Sequence, residues 1–167
     1  MDFYLQRLQD VITEVTRGMT AQDLAFRKEG KWCAGEILEH LYLTFTGTTK
    51  GFERCLNAGK PKITPPTWKQ RAAKWLVVGM GRMPKGRVSP KNLVPRGMAA
   101  DRVLSDIGAQ IAIMDEMISR CEHRYGTPTK LLDHPILGPL TGKQWRKFHW
   151  VHGRHHVAQI IRLKQKH

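Results

Sequence analysis

The chain has 167 residues, 41% of them hydrophobic, which is enough to bury a core and is expected to give one domain over residues 1–167. Its 28 Lys and Arg against 14 Asp and Glu leave a formal charge of +14, which favours anionic partners: nucleic acid, a phosphate-bearing surface or a small acidic substrate. The opening MDFYLQRLQDVITEV lacks the pattern of a secretory signal, and the longest apolar stretch, Trp75 to Met80, is too short to span a bilayer, so a cytoplasmic protein without a membrane partner is expected.

Four stretches carry helical periodicity. The first runs from about Asp2 to Arg17, with Leu5, Leu8, Ile12 and Val15 three and four apart. The second runs from near Cys33 to about Asn57, with Trp32 ahead of it, Glu36 in the place of a capping-box acid, and Ile37, Leu41, Phe45, Phe52 and Leu56 as its apolar face. A long connection follows, from Ala58 to Gly97, broken by Pro61, Pro65, Pro66, Pro84, Pro90 and Pro95, with room for a short helix from Trp68 to about Val78. The third long helix starts near Met98, ends before Gly126, and carries Val103, Ile107, Ile111, Met114, Ile118 and Cys121 on one stripe. DHPILGPLT then reads as a loop, and the fourth helix runs from Thr141 to about Lys164. The fold class expected is all-α: a four-helix bundle with a long, Pro-rich, basic crossover between its second and third long helices. Cys33, Cys55 and Cys121 form no C-x-x-C pair and read as reduced thiols, the last two packed against helices.

The last helix carries the chemistry. Trp145, His149, His152, His156, Ile160 and Leu163 follow one another at four, three, four, four and three residues, a single stripe facing the core. Histidines stand there where Leu or Ile would serve, and a buried imidazole without a partner is costly. His152 and His156 are one turn apart, about 6 Å along the axis, a spacing that lets two imidazoles reach one metal ion. Two ligands bind weakly, so a third is expected from a facing helix. His40 is the histidine inside the second helix, beside Ile37 and Leu41. His149 reads as a core imidazole bonded to a backbone carbonyl, His155 as solvent-facing, and His123 and His167 as exposed helix ends.

Two segments, KWCAGEILEHL and HWVHGRHHVAQI, resemble the signature segments of the DinB-like superfamily, named for damage-inducible bacterial proteins. DHPILGPLTGKQW resembles a branch in which a His-Pro loop introduces the last helix. The resemblance implies a four-helix bundle, often a homodimer, with a three-histidine metal site made of His40, His152 and His156 and with Gln159 trailing. Three neutral imidazoles leave positions open to water or substrate, the pattern of a catalytic rather than a closed structural site. Zinc is the expected cofactor, with nickel or iron suiting the same ligands. Glu36, Gln159 and His134 are the candidates for moving protons or orienting a bound group, with helix capping the plainer role for Glu36. Some relatives in that superfamily look like thiol-dependent transferases or isomerases.

From Arg54 to Ala100 the chain carries 11 Lys or Arg and no acid, with Trp68 and Trp75 interleaved among Lys69, Arg71 and Lys74. Basic residues mixed with aromatics can track phosphates and stack bases. A solvated basic face is the preferred reading, in which Lys69, Arg71, Lys74, Arg82 and Lys85 draw an anionic substrate toward the metal while Ala72, Trp75, Leu76 and Val78 dock a short helix on the bundle. LVPRG, Leu93 to Gly97, matches a thrombin recognition sequence and reads as an exposed, cleavable loop. Together these features point to a metal-dependent transferase or hydrolase acting on a small anionic or thiol-bearing substrate. A nucleic-acid-binding protein with a structural metal, and a metal-binding bundle without catalysis, are the alternatives.

Overall fold

Each of the four amphipathic stretches becomes one long helix of a bundle. The computed structural model describes residues 1–84 and 89–164. Its helices are α1 (Phe3–Thr16), α2 (Ala21–Ala25), α3 (Ala34–Asn57), α4 (Trp68–Lys74), α5 (Ala100–Tyr125) and α6 (Gly142–Lys164), with a two-stranded sheet, β1 (Leu132–His134) and β2 (Gly138–Leu140), before the last helix. α3 lies along α5 and α1 along α6, and the crossover carrying α4 joins α3 to α5. Among the described residues no helix is long and apolar enough to cross a membrane.

Local chemistry accounts for the helix ends. The Asp2 carboxylate accepts from the Tyr4 N–H at 2.8 Å and starts α1, whose Leu5, Leu8, Ile12 and Val15 are all buried. Glu36 accepts from the Cys33 N–H at 2.9 Å and starts α3. A Cβ on Gly153 would collide with the Leu8 side chain, so glycine there lets α1 lie close against α6, one residue from His152. Arg146 braces α6 against α5. It is 7% exposed and donates to Asp115 and Glu122, each at 2.6 Å, and to Ser119 at 2.8 Å. Removing one partner of so buried an ion pair typically costs about 3–5 kcal/mol.

Several expectations need correction. DHPILGPLT is a hairpin, not a loop: β1 and β2 pair antiparallel with Leu132 opposite Leu140 and His134 opposite Gly138. The His134 Nδ1 makes the turn by accepting from the Ile136 and Leu137 N–H groups at 3.1 and 3.2 Å, an imidazole doing what a backbone carbonyl does in an ordinary turn. The helix expected from Trp68 to Val78 is α4 followed by a π turn over Trp75–Gly79. The wider turn swings Val77 and Val78 into the core against α6, while Trp75 is left 65% exposed instead of docking. α2, built on a Thr20–Asp23 capping box, has no counterpart in the hydrophobic periodicity because it is only five residues long.

Candidate metal centre

His40 on α3 and His152 and His156 on α6 meet between the two helices. They are 3%, 7% and 8% exposed, and their metal-binding nitrogens all lie within 4.8 Å of one another. His40 is buried along the same stretch of α3 as Ile37 and Leu41, and Trp32 leans against its ring at a 42° tilt with centroids 5.2 Å apart. Phe148 lies nearly parallel to the His152 ring at 5.5 Å. Apolar walls thus hold two of the rings while the third is fixed by hydrogen bonds.

The outer nitrogens decide what the inner ones can do. Nδ1 of His40 lies 2.8 Å from the Leu93 carbonyl oxygen, which only accepts, so that nitrogen carries the proton. Nδ1 of His156 lies 2.8 Å from Gln159 Oε1 and is a donor on the same ground, while the Gln159 amide nitrogen faces His155 Nε2 at 3.2 Å. Both Nε2 atoms are therefore left with inward lone pairs. His152 Nε2 sits between them, 3.3 Å from His40 Nε2 and 3.1 Å from His156 Nε2. One proton on His152 can satisfy only one of these two acceptors, and three imidazole nitrogens converge on a point that lacks enough hydrogens. A cation answers that arrangement. For bonds of about 2.0–2.1 Å, tetrahedral ligands stand about 3.3–3.4 Å apart and right-angle ligands about 2.9 Å apart, which brackets these two separations. His40 and His156 stand wider, within the 4.8 Å that spans the set, and would draw together around an ion. The donor set fits a divalent transition metal.

The electrostatics agree. Burial lowers the pKa of His40, opposed by its bond to Leu93. Burial, then the neighbouring His156 and His40, hold His152 well below the ordinary histidine range. His156 is pushed down to about 3 by burial and then by His40, with Gln159 acting the other way. All three rings are neutral at neutral pH, the form that binds metal.

A comparison with known families matches residues 1–162 to the one described as protein of unknown function (DUF1569). The chain belongs to that family. Comparison with curated proteins and with solved structures returns no match. For DUF1569, then, the site must be read from its own geometry.

Of the candidates for moving protons or orienting a bound group, Gln159 alone touches the cluster, through His156. Glu36 is held by the Cys33 N–H and by Arg27 at 2.8 Å, the capping role, and takes no part in the cluster. His134 forms the hairpin turn and packs 4.5 Å from Phe148, with a pKa pushed down to about 4 by burial. His155, expected in solvent, is partly buried against Gln159 and His156. His149, expected to bond a backbone carbonyl, is 0% exposed and neither ring nitrogen has a hydrogen-bond partner among the described residues. It stands in an aromatic cage of Phe45, Trp145 and Phe148, with centroids 5.1 to 5.8 Å away. His123 is exposed at the end of α5, and His167 lies outside the described residues, as does Lys85 of the basic stretch.

Two contributors were not visible in the sequence. The Leu93 carbonyl orients His40 across 53 residues, and the Glu39 carboxylate, 1% exposed, accepts from the backbone N–H groups of Arg96, Gly97 and Met98 at 2.6, 3.1 and 3.1 Å. The segment carrying LVPRG is thus pinned to α3 rather than lying free as a cleavable loop. An acid beside the core-facing His40 was the one available signal for Glu39.

Proposed function

We propose that this DUF1569 chain is a metal-dependent enzyme of the DinB-like superfamily, a transferase or hydrolase acting on a small anionic or thiol-bearing molecule. The observation that carries the reading is the convergence of the three Nε2 atoms, two with their protons committed to outward acceptors. His40, His152 and His156 would hold zinc, or nickel or iron. When bound, such an ion polarises a carbonyl or phosphoryl oxygen and acidifies a coordinated water or thiol. The chain's own part is to keep three imidazoles neutral, fix two of them from behind through Leu93 and Gln159, and wall the third with Phe148. The order of elements, the tryptophan-led start of α3 and the His-x-x-x-His of α6 support kinship with the DinB-like proteins.

Protein purified without an affinity tag or chelator is expected to carry about one transition-metal ion per chain by mass spectrometry. His40→Ala, His152→Ala and His156→Ala are each expected to lose it. Chelation should lower the melting temperature and leave the helical circular dichroism spectrum in place, since the apolar core is independent of the ion. Undiminished metal in all three variants would sink the assignment.

A second reading rests on a different observation. Trp68 and Trp75 are 74% and 65% exposed, and Lys69 Nζ stands 5.7 Å from the Trp68 ring centre. Exposed indoles among cations are how single-stranded nucleic acid is gripped without base readout. Under this reading the metal is structural and the crossover is the working surface.

A further inference from the structure

The buried carboxylate of Glu39 has no role in the bundle's apolar packing. It lies on α3 among Ile37, Leu38 and Leu41, where a hydrophobic side chain would fill the space at no electrostatic penalty. Its two oxygens collect three successive backbone N–H groups, those of Arg96, Gly97 and Met98. Gly97 makes that possible: its φ of 87° is in the left-handed region, which turns the backbone so that neighbouring N–H groups face one anion. The next residue along α3, His40, holds the same strap at a second point, through the Leu93 carbonyl at 2.8 Å. Adjacent residues of one helix therefore hold a single strap at two points, residue 93 and residues 96–98.

From this geometry we infer that Glu39 is a positioning residue for the three-histidine centre: it clamps the strap so that the Leu93 carbonyl fixes which nitrogen of His40 faces the metal. The metal side of the inference rests on the function proposed above; the clamp itself does not. With the strap held, Nδ1 of His40 keeps its proton and Nε2 presents a lone pair inward. With the strap released, Nδ1 loses its acceptor, the proton is free to sit on either nitrogen, and the ring is free to turn. Coupling of this kind is reciprocal. Metal on His40 must tighten the strap by the same factor that the strap strengthens metal binding.

LVPRG supplies a built-in probe. A protease needs an extended, mobile segment, and this one has its backbone tied at residues 93, 96, 97 and 98. The experiment compares the wild type with Glu39→Gln, metal-free and zinc-loaded. It reads thrombin cleavage between Arg96 and Gly97, the ring-nitrogen NMR signals of His40, and zinc affinity by competition with a chelating dye. Glu39→Gln turns an amide N–H₂ toward backbone donors. It is expected to speed cleavage about tenfold or more, to erase the hydrogen-bonded Nδ1–H signal of His40, and to weaken zinc binding by roughly 10–100-fold, the usual range for loss of an outer hydrogen-bonding partner. Glu39→Asp should recover part of each effect, and zinc should protect the wild type from thrombin. Gly97→Ala, which leaves Glu39 in place but strains the turn, should weaken zinc binding and disturb His40 in the same direction. It carries the test if Glu39→Gln does not fold.

A Glu39→Gln protein that melts lower yet keeps its zinc affinity and its His40 signals would show that Glu39 is structural only, and would overturn the inference. So would unchanged cleavage together with an unchanged His40 signal. A wild type that takes up no zinc, while Glu39→Gln still frees the strap and alters His40, upholds the positioning of His40 and overturns the metal reading alone.

Discussion

Two kinds of buried histidine stand on the same face of α6, each beside a histidine from another element, and they differ. His152 and His156, with His40 opposite, aim nitrogens at one point and have outer partners at two of three rings. His149, one turn earlier, is more deeply buried than any of them and has its pKa pushed down to about 3, yet it is packed among aromatic rings and its nitrogens bond to nothing among the described residues. His134, whose charge when protonated would oppose that of His149, has its Nδ1 taken up by a turn. Burial and a depressed pKa are therefore shared by both groups and distinguish neither. Convergence of lone pairs, forced by acceptors placed behind the rings, is what separates a ligand set from a caged imidazole.

The sharpest way to break that distinction is to swap the two kinds. His152→Phe should abolish zinc retention, an effect larger than the roughly 10–100-fold that losing an outer partner costs. His149→Phe should leave metal content unchanged. It should also match or exceed the wild-type stability at neutral pH, because an unsatisfied buried polar group costs about 1–3 kcal/mol and phenylalanine removes it. Metal analysis and urea denaturation of the two proteins decide the matter. Loss of metal from His149→Phe would place both histidines in one site and erase the comparison.

A smaller effect tests the burial of His149 by acid. His149 titrates at an ordinary 6.5 in the unfolded chain and at about 3 in the folded one, the shift arising from burial first and from His134 second. The unfolded chain then takes up the proton first, so stability is complete above about pH 6.5 and falls as the pH drops toward 3. At about 1.4 kcal/mol per unit, His149 alone should remove roughly 2 kcal/mol between pH 7 and pH 5. His134, lowered to about 4, adds a loss of the same sign. Metal-free His149→Phe should therefore show a shallower decline in urea midpoint than the metal-free wild type. Equal slopes would mean that His149 is solvated in solution.

The comparison also marks how far the sequence alone reaches. Leu5, Leu8, Ile12 and Val15 repeat at helical spacing and all four are buried, because helix periodicity is a local property that side-chain burial follows. His152 and His156 share a turn of α6, so their pairing is legible from spacing, and the core-facing position of His40 makes it the natural third member. The same spacing puts His149 on the stripe and says nothing about its surroundings, since Phe45, which completes its cage, comes from far along the chain. Leu93 and Glu39 are illegible for the same reason: their bonds span 53 to 59 residues and involve backbone atoms, which carry no residue-type signal. Trp75 departs from expectation because a π turn shifts the face of a helix by part of a turn, and apolar patterning does not announce it.

The smallest expected effect concerns the region that contrasts most with the buried histidines, the exposed and acid-free crossover. Lys69, Arg71 and Arg82 are exposed and Lys74 is half-buried, while Lys85 lies outside the described residues. Charges of this sort act at a distance and contribute little to holding the fold. If they steer an anion toward the three histidines, replacing Lys69, Arg71, Lys74 and Arg82 with Gln should slow the capture of mercaptosuccinate by cobalt-loaded protein several-fold at low salt. The absorption of cobalt reports thiol binding, and metal content should stay the same. The difference should vanish as ionic strength rises past the point where screening shortens to about 8 Å, because surface charges then no longer reach the incoming anion. Nucleic-acid binding predicts another pattern from the same variant: capture of the thiol unchanged, oligonucleotide affinity reduced, and its dependence on salt flattened by about one power for each phosphate no longer neutralised. Trp68→Ala and Trp75→Ala add the deciding control, since steering is blind to an indole whereas stacked bases lose about 1–3 kcal/mol with each ring removed. Unimpaired thiol capture in the charge variant, with oligonucleotide binding weakened by both the charge and the tryptophan changes, would move the working surface from the histidines to the crossover.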